Sequence, residues 1–196
     1  MNVVILGSGK GTNALAVIKA SQQDQLANAN IVGIFTDNPD AEILKIASQN
    51  DIVNDFLSPG FKKSIIEKNE ENNWIQKISD LNPDLIVLAG FMRILSSNFI
   101  NHFQNRIINL HPSLLPSFQG LNAIEQAFNK NVKITGCTVH WVNERVDDGE
   151  IIAQAPVRIM NDDELPLVKQ KVQAAEHILL PWVIRDLALG TTPFPQ

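Results

Sequence analysis

Short apolar runs alternate with amphipathic stretches along most of the chain. That alternation marks βαβ units on a parallel sheet. It predicts strands at Asn2 to Leu6, Ile31 to Phe35, Ile52 to Phe56, Leu85 to Leu88 and Ile107 to Leu110. Helical spacing fits between them, at Thr12 to Gln22, Ala41 to Ser48, Lys63 to Leu81 and Ser97 to Phe103. The pattern then changes, because Ile134 to Val142 and Glu150 to Val157 are separated only by a short polar loop, which suits an antiparallel hairpin. A last helix, Leu165 to Leu189, closes the chain. The expected fold is α/β: a Rossmann-like, open, mostly parallel twisted sheet with helices on both faces and a C-terminal antiparallel hairpin.

Leu85-Ile86-Val87-Leu88 is apolar at every position, as a central strand covered on both faces must be. Ligands in such sheets sit outside the carboxyl ends of the strands, so the segments following strands are where chemistry is sought. Gly7-Ser8-Gly9-Lys10-Gly11-Thr12-Asn13 follows the first strand and opens the first helix, aiming backbone amides at an anion. It lacks the third glycine of a dinucleotide fingerprint, and Gly11 stands where a Walker loop needs Ser or Thr after its Lys. A single phosphate monoester on the amides of Gly11, Thr12 and Asn13 fits its length. A glycine turn serving only geometry, with Thr12 as the helix cap, is the competing reading.

Asn109-Leu110-His111-Pro112-Ser113-Leu114-Leu115-Pro116 ends the fifth expected strand. Alternation sends Asn109 and His111 to one side, and two prolines restrict the backbone that follows. An amide and an imidazole so placed can hold an oxygen that becomes negative during a reaction. Val146-Asp147-Asp148-Gly149-Glu150 lies between the hairpin strands, either as a plain turn or as a loop carboxylate within reach of the sheet ends. Gly90-Phe91-Met92-Arg93-Ile94-Leu95 offers apolar side chains, backbone amides and one cation just past the central strand. Gln173 and Glu176, three apart, share a face of the last helix.

These segments together resemble the folate-dependent formyltransferases, over nearly the whole chain, and most closely the members that act on glycinamide ribonucleotide. The resemblance implies one catalytic domain over residues 1–196. Its activity would be transfer of a formyl group from 10-formyltetrahydrofolate to the nucleotide amine in purine synthesis, by direct attack through a tetrahedral intermediate and without a metal. It assigns catalysis to Asn109, His111 and Asp147, with Asp148 a variable neighbour. It assigns the phosphate to Gly11, Thr12 and Asn13, and the ribose and glycinamide end to Gln173 and Glu176. The folate falls to Leu88, Arg93, Ile94, Leu95, Asn109 and Val142, with the pterin on the backbone around Arg93 and Leu95. The chain departs from the family pattern at Glu150 and Gln119, where relatives often carry Pro, and at Asn122, where some carry His.

Composition narrows the choice. A hydrophobic fraction of 44% with 19% charged residues is ordinary for a globular enzyme, and 196 residues suit one domain. No apolar run reaches the roughly 20 residues of a membrane span, and the apolar start shows no cleavage signal. A net charge of -5 argues against nucleic acid and favours small-molecule substrates. One cysteine, Cys137, within an apolar strand suggests a small buried thiol and a reducing, cytoplasmic setting. A deformylase of the same family would carry a regulatory domain before the first strand, which here begins at Asn2, and a tRNA-directed member would add a further domain and a cationic surface. A non-catalytic folate or nucleotide binder would need the loops but not the Asn109, His111 and Asp147 set.

Overall fold

A computed structural model of the chain describes residues 1–195. Among them are seven strands in one sheet, ordered β3-β2-β1-β4-β5-β6-β7, and six helices. The strands are β1 (Asn2–Leu6), β2 (Asn30–Thr36), β3 (Asn54–Phe56), β4 (Leu85–Leu88), β5 (Ile107–His111), β6 (Ile134–Trp141) and β7 (Ile151–Arg158). The helices are α1 (Thr12–Gln22), α2 (Glu42–Gln49), α3 (Lys68–Ser79), α4 (Ser97–His102), α5 (Ala123–Asn129) and α6 (Leu165–Leu189). β1 to β5 pair in parallel, whereas β6 runs antiparallel to both β5 and β7.

Alternation along the strands splits the core between the two faces of the sheet. Val3 and Ile5 of β1 and Leu85 and Val87 of β4 pack with Val17, Ile43 and Leu180 of α1, α2 and α6. Val4, Leu6, Ile86 and Leu88 face the other way, onto Trp74 and Ile78 of α3 and Phe99 of α4. The apolar run of β4 is therefore buried on both sides, as its sequence requires. α4 begins where the Ser96 hydroxyl accepts the amide of Phe99, an N-cap that satisfies one of the orphan donors of the first turn. α6 ends at Gly190, whose left-handed φ of 71° a residue with a Cβ adopts only at a cost.

The sheet and most helices fall where the hydrophobic pattern predicts them, with three departures. The helix expected over Lys63 to Leu81 begins only at Lys68; before it, Ile65 makes a parallel bridge to Ile94, and the Ile94 amide donates to Ser64 O at 2.8 Å. Extended backbone at Glu67 (φ -71°, ψ 146°) starts the helix late. The third strand shrinks to three residues, and the short helix α5 is additional to the expected set.

β1 lies between β2 and β4, so the chain crosses to opposite sides of β1 and leaves a crevice at its carboxyl end. The loops after β1 and β4 meet there. Ser8 N donates to Gly90 O at 3.1 Å, and Met92 N donates to Ser8 Oγ at 2.8 Å.

Candidate functional site

The glycine loop hands the chain directly to α1. Gly11 is the N-cap, at φ 71°, and no side chain caps the first-turn amides. The expectation that Thr12 could serve as cap is not met: its hydroxyl instead accepts a bond from Gln173 Nε2 of α6 at 2.9 Å. The open amides keep their partial positive charge, which is what an anion seat requires. The loop is also tightly backed, since a Cβ on Gly11 would stand 2.8 Å from the Ile43 side chain of α2.

α6 brings its second polar residue to the next position of the same loop. Asn13 Nδ2 donates to Glu176 Oε2 at 3.0 Å. Asn13 Oδ1 is buried without a partner among the described residues. Burial pushes the Glu176 carboxyl above its ordinary range, against the opposing effect of the Asn13 bond. Gln173 and Glu176 thus touch the glycine loop, although some 160 residues separate them in sequence. His177 next to them is half-buried, and burial together with the Lys19 charge lowers its pKa.

Asn109 and His111 stand on one face of β5 and Asp147 reaches them from the β6–β7 connection. His111 Nδ1 is 3.2 Å from Asp147 Oδ2, and Asn109 Nδ2 is 3.3 Å from Asp147 Oδ1. Burial would raise the Asp147 carboxyl, but the His140 ring, the Gly120 amide at 2.9 Å and the His111 and His140 charges outweigh it and hold it below the usual carboxylate range. The other ring nitrogen of His111 faces Phe118 O at 2.9 Å, so both nitrogens meet oxygen acceptors and donate in the doubly protonated ring. Phe118 holds a left-handed φ of 58°, unusual for a bulky side chain, to put its carbonyl there. Asp148 is different in kind: its carboxylate is 46% exposed and meets the exposed Arg145.

The turn after His111 is held by a buried hydroxyl on β6. Thr138 Oγ1 donates to Ser113 O at 2.7 Å and accepts Leu115 N at 3.1 Å. Opposite Asn109 in the β5–β6 pairing stands His140, which is 2% exposed and lies 3.2 Å through Nε2 from Asn109 Nδ2. The sequence reading missed both Thr138 and His140. Their alternation in Cys137-Thr138-Val139-His140 was visible, but which strand they face was not.

Among the expected folate residues, Leu88 and Leu95 are buried, Ile94 is half-exposed and Val142 is partly buried against the α3 and α4 side of the core. Arg93 does not present a free cation: its guanidinium pairs with Asp37 at the end of β2 and donates to Lys62 O. That engagement leaves the backbone of this segment, rather than the Arg93 charge, for a ligand. Gln119 donates to Asp147 O at 2.8 Å, so the position that departs from the family pattern tethers the loop carrying the acid. The Glu150 carbonyl accepts Trp141 N at 2.9 Å, which keeps the start of β7 paired. Cys137 is buried, and burial together with the Glu176 charge pushes its thiol up to about 12, so it is inert as a nucleophile. A cavity of about 860 Å³ opens beside the site, between α1 and α6, and touches Thr12, Lys19 and His177 but none of Asn109, His111 or Asp147.

A formyl transferase family profile matches residues 1–184 of this chain. The chain is similar to the phosphoribosylglycinamide formyltransferase of Escherichia coli K12, at 36% identity, covering 97% of this chain and 88% of that protein. It is 37% identical, over 96% of its length, to the trifunctional purine biosynthetic protein adenosine-3 of Drosophila melanogaster, of which it spans only 14%. Among solved structures, phosphoribosylglycinamide formyltransferase from Bacillus halodurans superimposes with a TM-score of 0.91 at 37% identity, with both chains covered in full.

Proposed function

The chain belongs to the formyl transferase family, and from that premise we propose that it moves the formyl group of 10-formyltetrahydrofolate onto the amine of glycinamide ribonucleotide, releasing tetrahydrofolate and the formylated nucleotide. The observation that carries the reading is the meeting of Asn109, His111 and Asp147, with both Asp147 oxygens within 3.3 Å of the other two side chains. In this reading the neutral amine attacks the formyl carbon, and the C–N bond forms as the carbonyl oxygen takes the electron pair. Asn109 and His111 donate to that oxygen, exchanging bonds they otherwise make within the protein. As the oxyanion re-forms the carbonyl and the bond from the formyl carbon to the folate nitrogen breaks, Asp147 keeps His111 oriented and helps pass the proton from the attacking amine to the departing nitrogen.

The amides of Gly11, Thr12 and Asn13 seat the phosphate, and Gln173 and Glu176 take the ribose and glycinamide end. The bond from Asn13 Nδ2 to Glu176 Oε2 at 3.0 Å supports this, because it sets the two groups of residues side by side. Leu88, Ile94, Leu95 and Val142 wall the pterin, with backbone from Arg93 to Leu95 and the Asn109 side chain as polar contacts. Residues 1–196 then act as one catalytic domain on small molecules in the cytoplasm, where the free Cys137 stays reduced.

An assay of formylated nucleotide, run with and without glycinamide ribonucleotide, tests the proposal. Product dependent on the nucleotide is the expected result. Release of formate and tetrahydrofolate to water at the same rate in both arms would instead make the protein a hydrolase.

A further inference from the structure

Among the buried side chains around the acid, His140 is the one to which the proposed reaction gives no task. Its geometry is specific. Nδ1 lies 2.8 Å from the Trp141 carbonyl oxygen, so that nitrogen carries the proton and donates. In its neutral form the ring offers only a lone pair at Nε2, which accepts one N–H of Asn109 at 3.2 Å; the charged form instead turns an Nε2–H toward Asp147 Oδ1, 3.6 Å away, the contact that lowers the acid. The second N–H of the same amide donates to Asp147 Oδ1 at 3.3 Å. A turned amide would set its oxygen against both the lone pair and the carboxylate, so the two acceptors together dictate which end of Asn109 is Nδ2.

The surroundings fix the ring as firmly as the ring fixes the amide. Gly149 packs its backbone onto the carbonyl that holds His140. A Cβ there would be driven into Trp141 O and would stand 3.3 Å from His140 Nδ1. The glycine of the Asp-x-Gly turn is thus needed for a contact that leads, through Trp141 O and His140, to Asn109. The β6–β7 register also shifts between Val139 and His140, where β7 spends an extra residue, a local irregularity of the sort that re-aims side chains beside active sites.

We propose that His140, locked through Nδ1 to the Trp141 carbonyl, is a positioning residue that presents the Asn109 N–H end, not its oxygen, to the formyl oxygen as that oxygen gains charge. The inference rests on the formyl-transfer reading. It needs no contact between His140 and substrate.

Three forms of the full chain decide it: native, His140→Leu and His140→Gln. The Gln amide oxygen can accept from Asn109 where Nε2 did, whereas Leu leaves that N–H bare. His140→Leu should lower kcat by roughly 30-fold, less than outright loss of an oxyanion donor, while KM for glycinamide ribonucleotide stays within about twofold. His140→Gln should recover to within about fivefold of native kcat. Nitrogen-15 NMR of histidine-labelled native protein should show His140 protonated at Nδ1 and bare at Nε2, a readout that needs neither turnover nor a folded Leu variant. An active native protein whose Leu variant keeps its kcat, a Gln variant no better than Leu, or a ring protonated only at Nε2 each overturns the inference. A native protein that transfers no formyl group at all sinks the reaction reading instead, and the NMR result still judges the tautomer.

Discussion

Asp147 and Asp148 are chemically identical neighbours with opposite surroundings. Asp147 is enclosed by His111, His140 and the Gly120 amide, whereas Asp148 faces solvent and an exposed Arg145. Asp147→Asn should therefore cut turnover severely and Asp148→Asn should leave it within about twofold, since surface pairs contribute little. Steady-state kinetics of the pair reads this directly, and the reverse ranking would displace the acid by one residue. Asn109→Ala should lower kcat by about a hundredfold or more, the loss typical of one oxyanion donor. The lowered Asp147 pKa has a definite sign: its stabilisation is complete above about pH 4 and disappears as pH falls through the lower folded value. Glu176 runs the other way. Its raised pKa means that the folded protein holds the proton longer, so stability declines as pH rises from about 4 through the folded value. Glu176→Gln should gain stability at pH 7 and none at pH 3.5, measured by urea unfolding, while binding of the nucleotide weakens by roughly ten- to a hundredfold for a lost charged hydrogen bond. A stability difference that does not change with pH would contradict the buried-carboxylate account. At this scale the sequence revealed residue types but not partners: Asp147 was legible as a turn carboxylate, whereas the engagement of Arg93 by Asp37 depends on loops 56 residues apart.

The glycine loop proposed to seat the phosphate is a product of two elements, not one. Ile43 of α2 occupies the space beside Gly11, and the Ile43 amide donates to Gly9 O at 3.2 Å. Gly11→Ala would both place Ala at a left-handed φ, which costs about 1–2 kcal/mol, and press its Cβ on Ile43. The expected result is a tenfold or larger rise in KM for the nucleotide, with KM for the folate little changed. Equal effects on both substrates would mean that the loop seats neither in particular. β4, apolar at every position, and α6, whose buried Val168, Val172, Leu179, Val183 and Leu187 recur at helical spacing, were legible because burial on two faces or along one stripe leaves a pattern. α5 left almost none: seven residues long, it starts from Asn122 at a left-handed φ of 58° and has no side-chain cap. The stretch before α3 misled for the opposite reason, since Ser64-Ile65-Ile66 could continue a helical stripe but pairs with Ile94 instead.

Across the whole molecule, the parallel half of the sheet was readable from alternating strands and helices, but the antiparallel pairing of β5 with β6 was not, because a hairpin pattern does not say which neighbour it joins. That pairing is what brings His140 opposite Asn109. The two core halves are also unequal in how they reach the site. Trp74 is fully buried, donates through Nε1 to Ser58 O at 2.8 Å, and meets the Phe91 ring at 5.5 Å, in the segment proposed to take the folate. Trp74→Ala should cost about 3–5 kcal/mol and lower Tm by roughly 10 °C. Folate affinity should fall further than nucleotide affinity in calorimetric titrations of the variant; equal losses would mean that the ring supports the fold alone.

Ser8 donates its amide to Gly90 O and accepts the Met92 amide on its hydroxyl oxygen, so one serine is stitched between the segments proposed to seat the two reactants. If occupancy shifts either segment, this tether carries the shift to the other, and thermodynamic reciprocity then demands that each reactant alter the affinity of its companion by the same factor. Titrating them in both orders should return one cooperativity constant, and Ser8→Ala should bring that constant closer to unity.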